Sequence, residues 1–291
     1  MTIDQRTLRP TLLAVLAHPD DESFGMGGTL ARYAASGAAV HLICATGGEE
    51  GSMDAVYLQG YASTAARRLA ELECAAHALG LASVTMLGYR DSGMLGALAN
   101  SHPEALAAQP VEAVAARVCH SIRRLQPQVV LTFDPIGGYR HPDHVAIHQA
   151  TVAAFHAAGD PASFPGELSP YAPQKLYYQT FGRVLLRLAV RLMPLFGRDP
   201  RALGRNHDLD IAALAALEFP LHTRIDTLSA QRARAAASAC HASQGGGGGG
   251  PLARLAGAAF QLVGSYETFM RAYPEAPASL RETDLFAGVA V

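Results

Sequence analysis

Through the first half of the chain, short apolar runs alternate with longer stretches of helical period. Residues 12–17 read as a buried strand, a continuous apolar run cut off by polar residues. Residues 24–36 read as a helix that stops at Gly37. The alternation continues with a strand at 40–45, a helix at 64–79 capped by Gly80, and a strand at 84–87. A helix at 111–125, a strand at 129–133, a helix at 142–156 and a strand at 175–180 complete it. Strands alternating with helices imply an α/β fold with a mainly parallel sheet and right-handed crossovers.

Beyond residue 180 the pattern is less regular. Residues 181–196 form an apolar helix with Arg183, Arg187 and Arg191 on one stripe. A packing or lid helix with a solvated face is preferred over a helix on a membrane surface. Residues 219–226 suggest a strand and 228–242 a helix. The six glycines at 245–250 read as a flexible loop. No internal repeat is visible. A single domain over 1–291 is expected, with a core at about 10–180 and a C-terminal extension over 181–291 that shapes the site.

Composition narrows the function classes. The 291 residues are 49% hydrophobic and 16% charged, with a formal net charge of −2. That balance offers no bulk electrostatic argument for nucleic acid. Cys44, Cys74, Cys119 and Cys240 are far apart, with no metal-type spacing. Three lie in apolar strand or helix patterns, where an unpaired Cys behaves as a small hydrophobe, and this suits a reducing cytoplasm. The apolar run near the N-terminus is too short for a signal segment, and no stretch is long and clean enough to cross a bilayer. A cytoplasmic homo-oligomer is expected.

Chemistry concentrates at two strand ends. His18-Pro19-Asp20-Asp21-Glu22 follows the first strand, where open α/β sheets place their ligands. Adjacent Asp side chains project differently, which leaves room for a metal ligand and a base. The plainer reading is a helix N-cap cluster. Tyr139-Arg140-His141-Pro142-Asp143-His144 follows the fourth strand, with Pro142 suited to a first helical turn. One His and one Asp from the first stretch and one His from the second make a three-ligand metal site with an open position. The remaining carboxylate and His are left as base and acid.

These paired motifs resemble the PIG-L/LmbE-like family of zinc-dependent deacetylases, which includes the N-acetylglucosaminyl deacetylases of mycothiol, bacillithiol and glycolipid-anchor synthesis. Other stretches agree: Thr46-Gly47-Gly48-Glu49 after strand two, Arg68 and Glu71 on the next helix, Arg90-Asp91-Ser92-Gly93-Met94 after strand three, and His241-Ala242-Ser243-Gln244. The resemblance covers about 10–180 well and 220–245 more loosely. It implies a Rossmann-like three-layer fold and a hydrolase that removes the N-acetyl group from an N-acetylglucosaminyl conjugate, such as a malate or inositol glycoside. Carried over, it makes His18, Asp21 and His144 zinc ligands; iron is compatible with the same donors. Asp20 becomes the general base on a water whose pKa zinc lowers to about 7. His141 stabilises the oxyanion or protonates the leaving amine, with Asp143 orienting its ring and favouring its protonated form. Tyr139 reaches the oxyanion, and Arg68 and Asp91 hold the sugar; the plainer reading of Arg68, equally weighted, is a helix pair with Glu71. His241 and Gln244 approach the site or end a helix. Arg234 stands where the family often has Lys, and the glycine run after Gln244 is unusual. Both bear on the substrate pocket.

Two readings compete. Gly25-Met26-Gly27-Gly28 lacks the third glycine of a dinucleotide fingerprint, Leu30 standing there, and no phosphate-binding P-loop exists. A non-catalytic relative is disfavoured because every expected catalytic position is filled. Within the enzyme reading, the runner-up is an amidase that cleaves mycothiol-type conjugates.

Overall fold

In the computed structural model, residues 9–180, 183–197, 199–202, 211–246 and 265–290 are described. A seven-stranded sheet runs in the order β3-β2-β1-β4-β5-β7-β6. The first five strands are β1 (Thr11–Leu16), β2 (Ala39–Thr46), β3 (Ser83–Tyr89), β4 (Val129–Thr132) and β5 (Lys175–Thr180). All pair in parallel, with Leu12 opposite Val40 on one side and Val129 on the other. β1, β4 and β5 are buried almost throughout, as strands covered on both faces must be.

The helices form the outer layers. α1 (Asp21–Ala35) and α2 (Thr64–Leu79) lie together, and α3 (Val111–Leu125) packs on α5 (Pro142–Ala157) beyond the short turn α4 (Gly137–Arg140). The three-layer α/β architecture matches the expectation, and Gly80 caps α2 in the left-handed conformation as its position predicts.

The extension differs more. α6 (Arg183–Leu192) is followed by α7 (Ile211–Ala216), and Arg187 of the basic stripe bonds to the Ala215 carbonyl at 3.0 Å and to Glu218. That pairing ties the stripe to the neighbouring helix. Among the described residues, no helix is long and apolar enough to cross a membrane. β6 (Thr223–Asp226) is shorter than its apolar flank suggests, and α8 spans Gln231–Cys240. Between β5 and β6 lies β7 (Tyr266–Tyr273), antiparallel to both. It carries Glu267 and Arg271, which hide it from a search for apolar runs. Most of the glycine run lies outside the described residues.

One expectation is overturned. Cys74 on α2 and Cys240 at the end of α8 form a disulfide across 166 residues. Cys44 and Cys119 are free and buried. Only the packing of α8 on α2 brings the pair together, so sequence spacing carried no sign of it. The cysteines therefore give no argument for a reducing compartment.

Candidate active site

β1 is the point where the strand order reverses: β2 and β3 lie to one side, β4 and β5 to the other. The chain leaves β1 and β4 in opposite directions there and opens a crevice beyond their C-terminal ends. Both histidine stretches empty into it. After β4, Asp134 accepts the backbone N–H groups of Ile136 and Gly138 and shapes the turn into α4. Gly137 has φ +65°, and a Cβ there would come within 2.7 Å of the His144 Cβ. Its carbonyl accepts the Nδ1–H of His144 at 3.1 Å, while Phe133 stacks on that ring at 3.9 Å. His141 caps α5, its Nδ1 accepting the Asp143 N–H at 3.2 Å.

The ring of His18 meets that of His144. Nδ1 of His18 is 3.2 Å from Nε2 of His144, and the Asp21 carboxylate lies 3.4 Å from the second and 3.7 Å from the first. The far side of His18 settles its tautomer: Nε2 is 3.0 Å from Asp143, an oxygen that can only accept. Asp143 is itself fully buried and held by the N–H and hydroxyl of Ser92. So in neutral rings two lone pairs face each other beside a carboxylate, an arrangement that a bound cation or a ring proton relieves. Donor pairs about 3.4 Å apart suit tetrahedral ligand bonds of about 2.1 Å. The donor set therefore fits a divalent metal. His141 also converges with His18 and His144 closely enough to share an ion.

Electrostatics follow from this crowding. Burial lowers the His18 pKa, but its bonds to Asp143 and Asp91 and the charge of Asp21 outweigh it and hold it well above 6.5. Burial pushes Asp20 up to about 7 and Asp21 up to about 6; Arg68 opposes the first shift and His18 the second. Burial, with the charges of His18 and His144, drops His141 to about 3. Burial and the nearby acids raise the Tyr139 phenol.

Asp20 occupies the N-cap position of α1, yet its side chain makes no cap bond. Its φ of +128° is strained for a residue with a Cβ, at a cost of about 1–3 kcal/mol, and frees the carboxylate from the helix end. Arg68 meets it at 3.0 Å. The N-cap reading of this cluster therefore does not account for Asp20.

Several expected roles change. Asp143 orients His18 and not His141, touching the latter only through its backbone N–H. His141 is not imidazolium near neutral pH, because two neighbouring rings and burial outweigh Asp143. Arg68 is buried, bonding the carbonyls of Gly48 and Pro19 as well as Asp20, and not Glu71. Gly48 has φ +70°, and any Cβ there would strike the Arg68 guanidinium. Asp91 is also buried, accepting from Gly93 and Glu50 with His18 at 3.5 Å, so it buttresses the site from below. His241 ends α8 and turns inward, its Nε2 2.7 Å from buried Glu22, while Gln244 donates to the hydroxyl of neighbouring Ser243. Tyr139 stands at the rim, 37% exposed, edge-on to His144.

Sequence reading assigned no role to Ser92 or to Glu22. Ser92 lay inside the quoted Arg90–Met94 loop, and Glu22 inside the first histidine stretch. Their partners, Asp143 and His241, are remote in sequence, so only the fold shows what they do.

A family model described as PIG-L: GlcNAc-PI de-N-acetylase matches residues 13–155. A 1D-myo-inositol 2-acetamido-2-deoxy-alpha-D-glucopyranoside deacetylase of Geodermatophilus obscurus is 35% identical over 96% of this chain and 97% of its own. The chain belongs to the PIG-L family. A protein of the same name from Thermobifida fusca is 39% identical over 80% of this chain and 82% of its own. The fold is shared with N,N'-diacetylchitobiose deacetylase from Pyrococcus horikoshii, at a TM-score of 0.62 and 19% identity, covering 97% of this chain and 87% of that one. The segment matched by the PIG-L model runs from β1 to α5 and contains the whole crevice constellation. His241 and the disulfide partner Cys240 lie outside it.

Proposed function

We propose that this PIG-L protein is a metal-dependent N-deacetylase that hydrolyses the acetamide of N-acetylglucosaminyl-inositol to the free amine and acetate. The observation that carries the reading is the convergence of His18, Asp21 and His144, with Asp20 unbound by its helix beside them. The printed names of relatives 35–39% identical support the inositol glycoside as substrate.

His18 Nδ1, His144 Nε2 and the Asp21 carboxylate would hold the ion, with zinc as the proposed metal. When bound, the metal would acidify the attacking water and polarise the amide carbonyl. Asp20, at about 7, takes the proton from the water and is the group that returns it to the leaving amine. Arg68 keeps that carboxylate from turning away. His141 is neutral, and because its Nδ1 accepts a backbone N–H, its proton sits on Nε2. That N–H, with the Tyr139 hydroxyl at the rim, serves the charge that develops on the amide oxygen.

The test is acetate release by zinc-loaded protein from N-acetylglucosamine linked to inositol, linked to malate, and free. The inositol glycoside is expected to turn over fastest by kcat/KM. Preference for malate would move the substrate, and absence of acetate with cleavage of a different amide would favour the amidase.

A further inference from the structure

The proposed reaction leaves one buried acid–base pair unused. Glu22 and His241 are both fully buried, with the His241 Nε2 2.7 Å from Glu22 Oε1. The Ser23 hydroxyl donates to the same oxygen at 2.6 Å. The other oxygen accepts the backbone N–H of Asp20 at 3.0 Å. That N–H belongs to the residue with φ +128°. A strained backbone persists only when its surroundings over-determine it, and here the anchor is a carboxylate whose own direction is fixed from behind.

His241 reaches Glu22 from far along the chain, and it is itself fastened. Cys240 beside it is joined to Cys74 on α2. Two residues on, Ser243 gives its N–H and hydroxyl to Glu71, also on α2, at 3.0 and 2.6 Å. The same helix carries Arg68, which holds the Asp20 side chain. Asp20 is thus gripped twice, at its carboxylate from α2 and at its backbone through Glu22 from the end of α8.

We propose that His241 is a positioning residue for Asp20, acting through Glu22 and touching neither substrate nor metal. The proposal rests on Asp20 being the base. Without His241, the Glu22 carboxylate loses its partner from α8 and keeps only the Ser23 hydroxyl of its own helix on that oxygen, so the Asp20 backbone is free to relax toward ordinary helix-entry geometry. The carboxylate then swings away from the attacking water, and a misplacement of about 1 Å costs up to about a hundredfold in rate.

A double-mutant cycle in metal-loaded, full-length protein tests this. His241→Ala is expected to lower kcat about tenfold or more, with KM within about twofold and full metal content. On an Asp20→Asn background the same change should alter kcat by less than about twofold, because its target is already gone. An undiminished loss on that background overturns the proposal. If Asp20→Asn alone turns over normally, the base assignment falls and the positioning role falls with it, a result distinct from the first. Should His241→Ala fail to fold, His241→Gln and His241→Met carry the test. Gln keeps a donor at similar reach and should stay within about threefold of the parent, while Met should lose about tenfold. Equal kcat in those two variants overturns the proposal.

Discussion

Nδ1 of His18 and Nε2 of His144 stand 3.2 Å apart, and the opposite nitrogen of each ring is committed to an oxygen that can only accept. Two unprotonated nitrogens do not hold that distance without a positive charge between them. Without a metal ion, Asp143, Asp91 and Asp21 hold His18 above its ordinary pKa against burial, while burial and the charge of His18 push His144 well below.

Removing one member should empty the site. His144→Ala is expected to reduce bound metal from about one equivalent to under about a tenth, with the circular dichroism spectrum preserved. Elemental analysis of the dialysed protein checks it. Full occupancy in the variant would move the site to the His18, Asp91 and Asp143 side of the ring, where the other convergent donors lie.

Metal affinity should fall with acid. The ion must displace a proton from His18, raised above 6.5, and requires Asp21, raised to about 6, to be ionised. As pH drops below about 6 both groups bind protons in the metal-free state, so the apparent affinity should decline by about tenfold or more per pH unit. Competition with a chromophoric chelator at pH 5 to 8 measures it. A flat profile would show that neither group is a ligand.

Asp143→Asn should weaken the metal without touching it. The amide can donate to Nε2 of His18, which puts the ring proton on Nδ1 and blocks the ligand lone pair. Loss of such an outer partner costs about 10–100-fold in metal affinity. An affinity within about twofold of the parent would show that the His18 tautomer is fixed elsewhere, with Asp91 the next partner at 3.5 Å.

Asp20→Asn should retain the metal and lose turnover by about a hundredfold or more. A base at about 7 is active above its pKa, so the parent's rate should fall as pH drops through that region, or lower once a bound cation stabilises the carboxylate. The variant should lack that limb. No basic limb should come from His141, since a group at about 3 is already neutral throughout the assay range. A limb that survives in Asp20→Asn would assign it to another group.

The disulfide makes a separate prediction. Joining Cys74 to Cys240 closes a loop of 166 residues, and loops of that size stabilise by about 2–5 kcal/mol. Cys74→Ser/Cys240→Ser should unfold at lower urea by that margin, and dithiothreitol should shift the parent but not the variant. Identical midpoints would show that the thiols are unpaired in solution.

Local pattern determined a great deal here. Apolar runs and helical period are properties of neighbouring residues, and they placed β1 to β5, α2, α3 and α5 within a residue or two. The same locality marked His18 to Glu22 and Tyr139 to His144 as strand-end chemistry, because a polar break after a buried strand is visible without a fold. Partnership was a different matter. Asp143 sits one residue from His144, yet its carboxylate serves His18, 125 positions earlier. Arg68 chose Asp20 over Glu71, Cys74 found Cys240, and His241 turned inward to Glu22 and not to the crevice. β7 carries no apolar-run signal because Glu267 and Arg271 break it, while Glu267 is satisfied by the backbone of Gly28 and Thr29. In each case the deciding energy lies between elements that the sheet order and helix packing bring side by side. That energy depends on which groups are desolvated together, a property of the tertiary structure that no span of neighbouring residues contains.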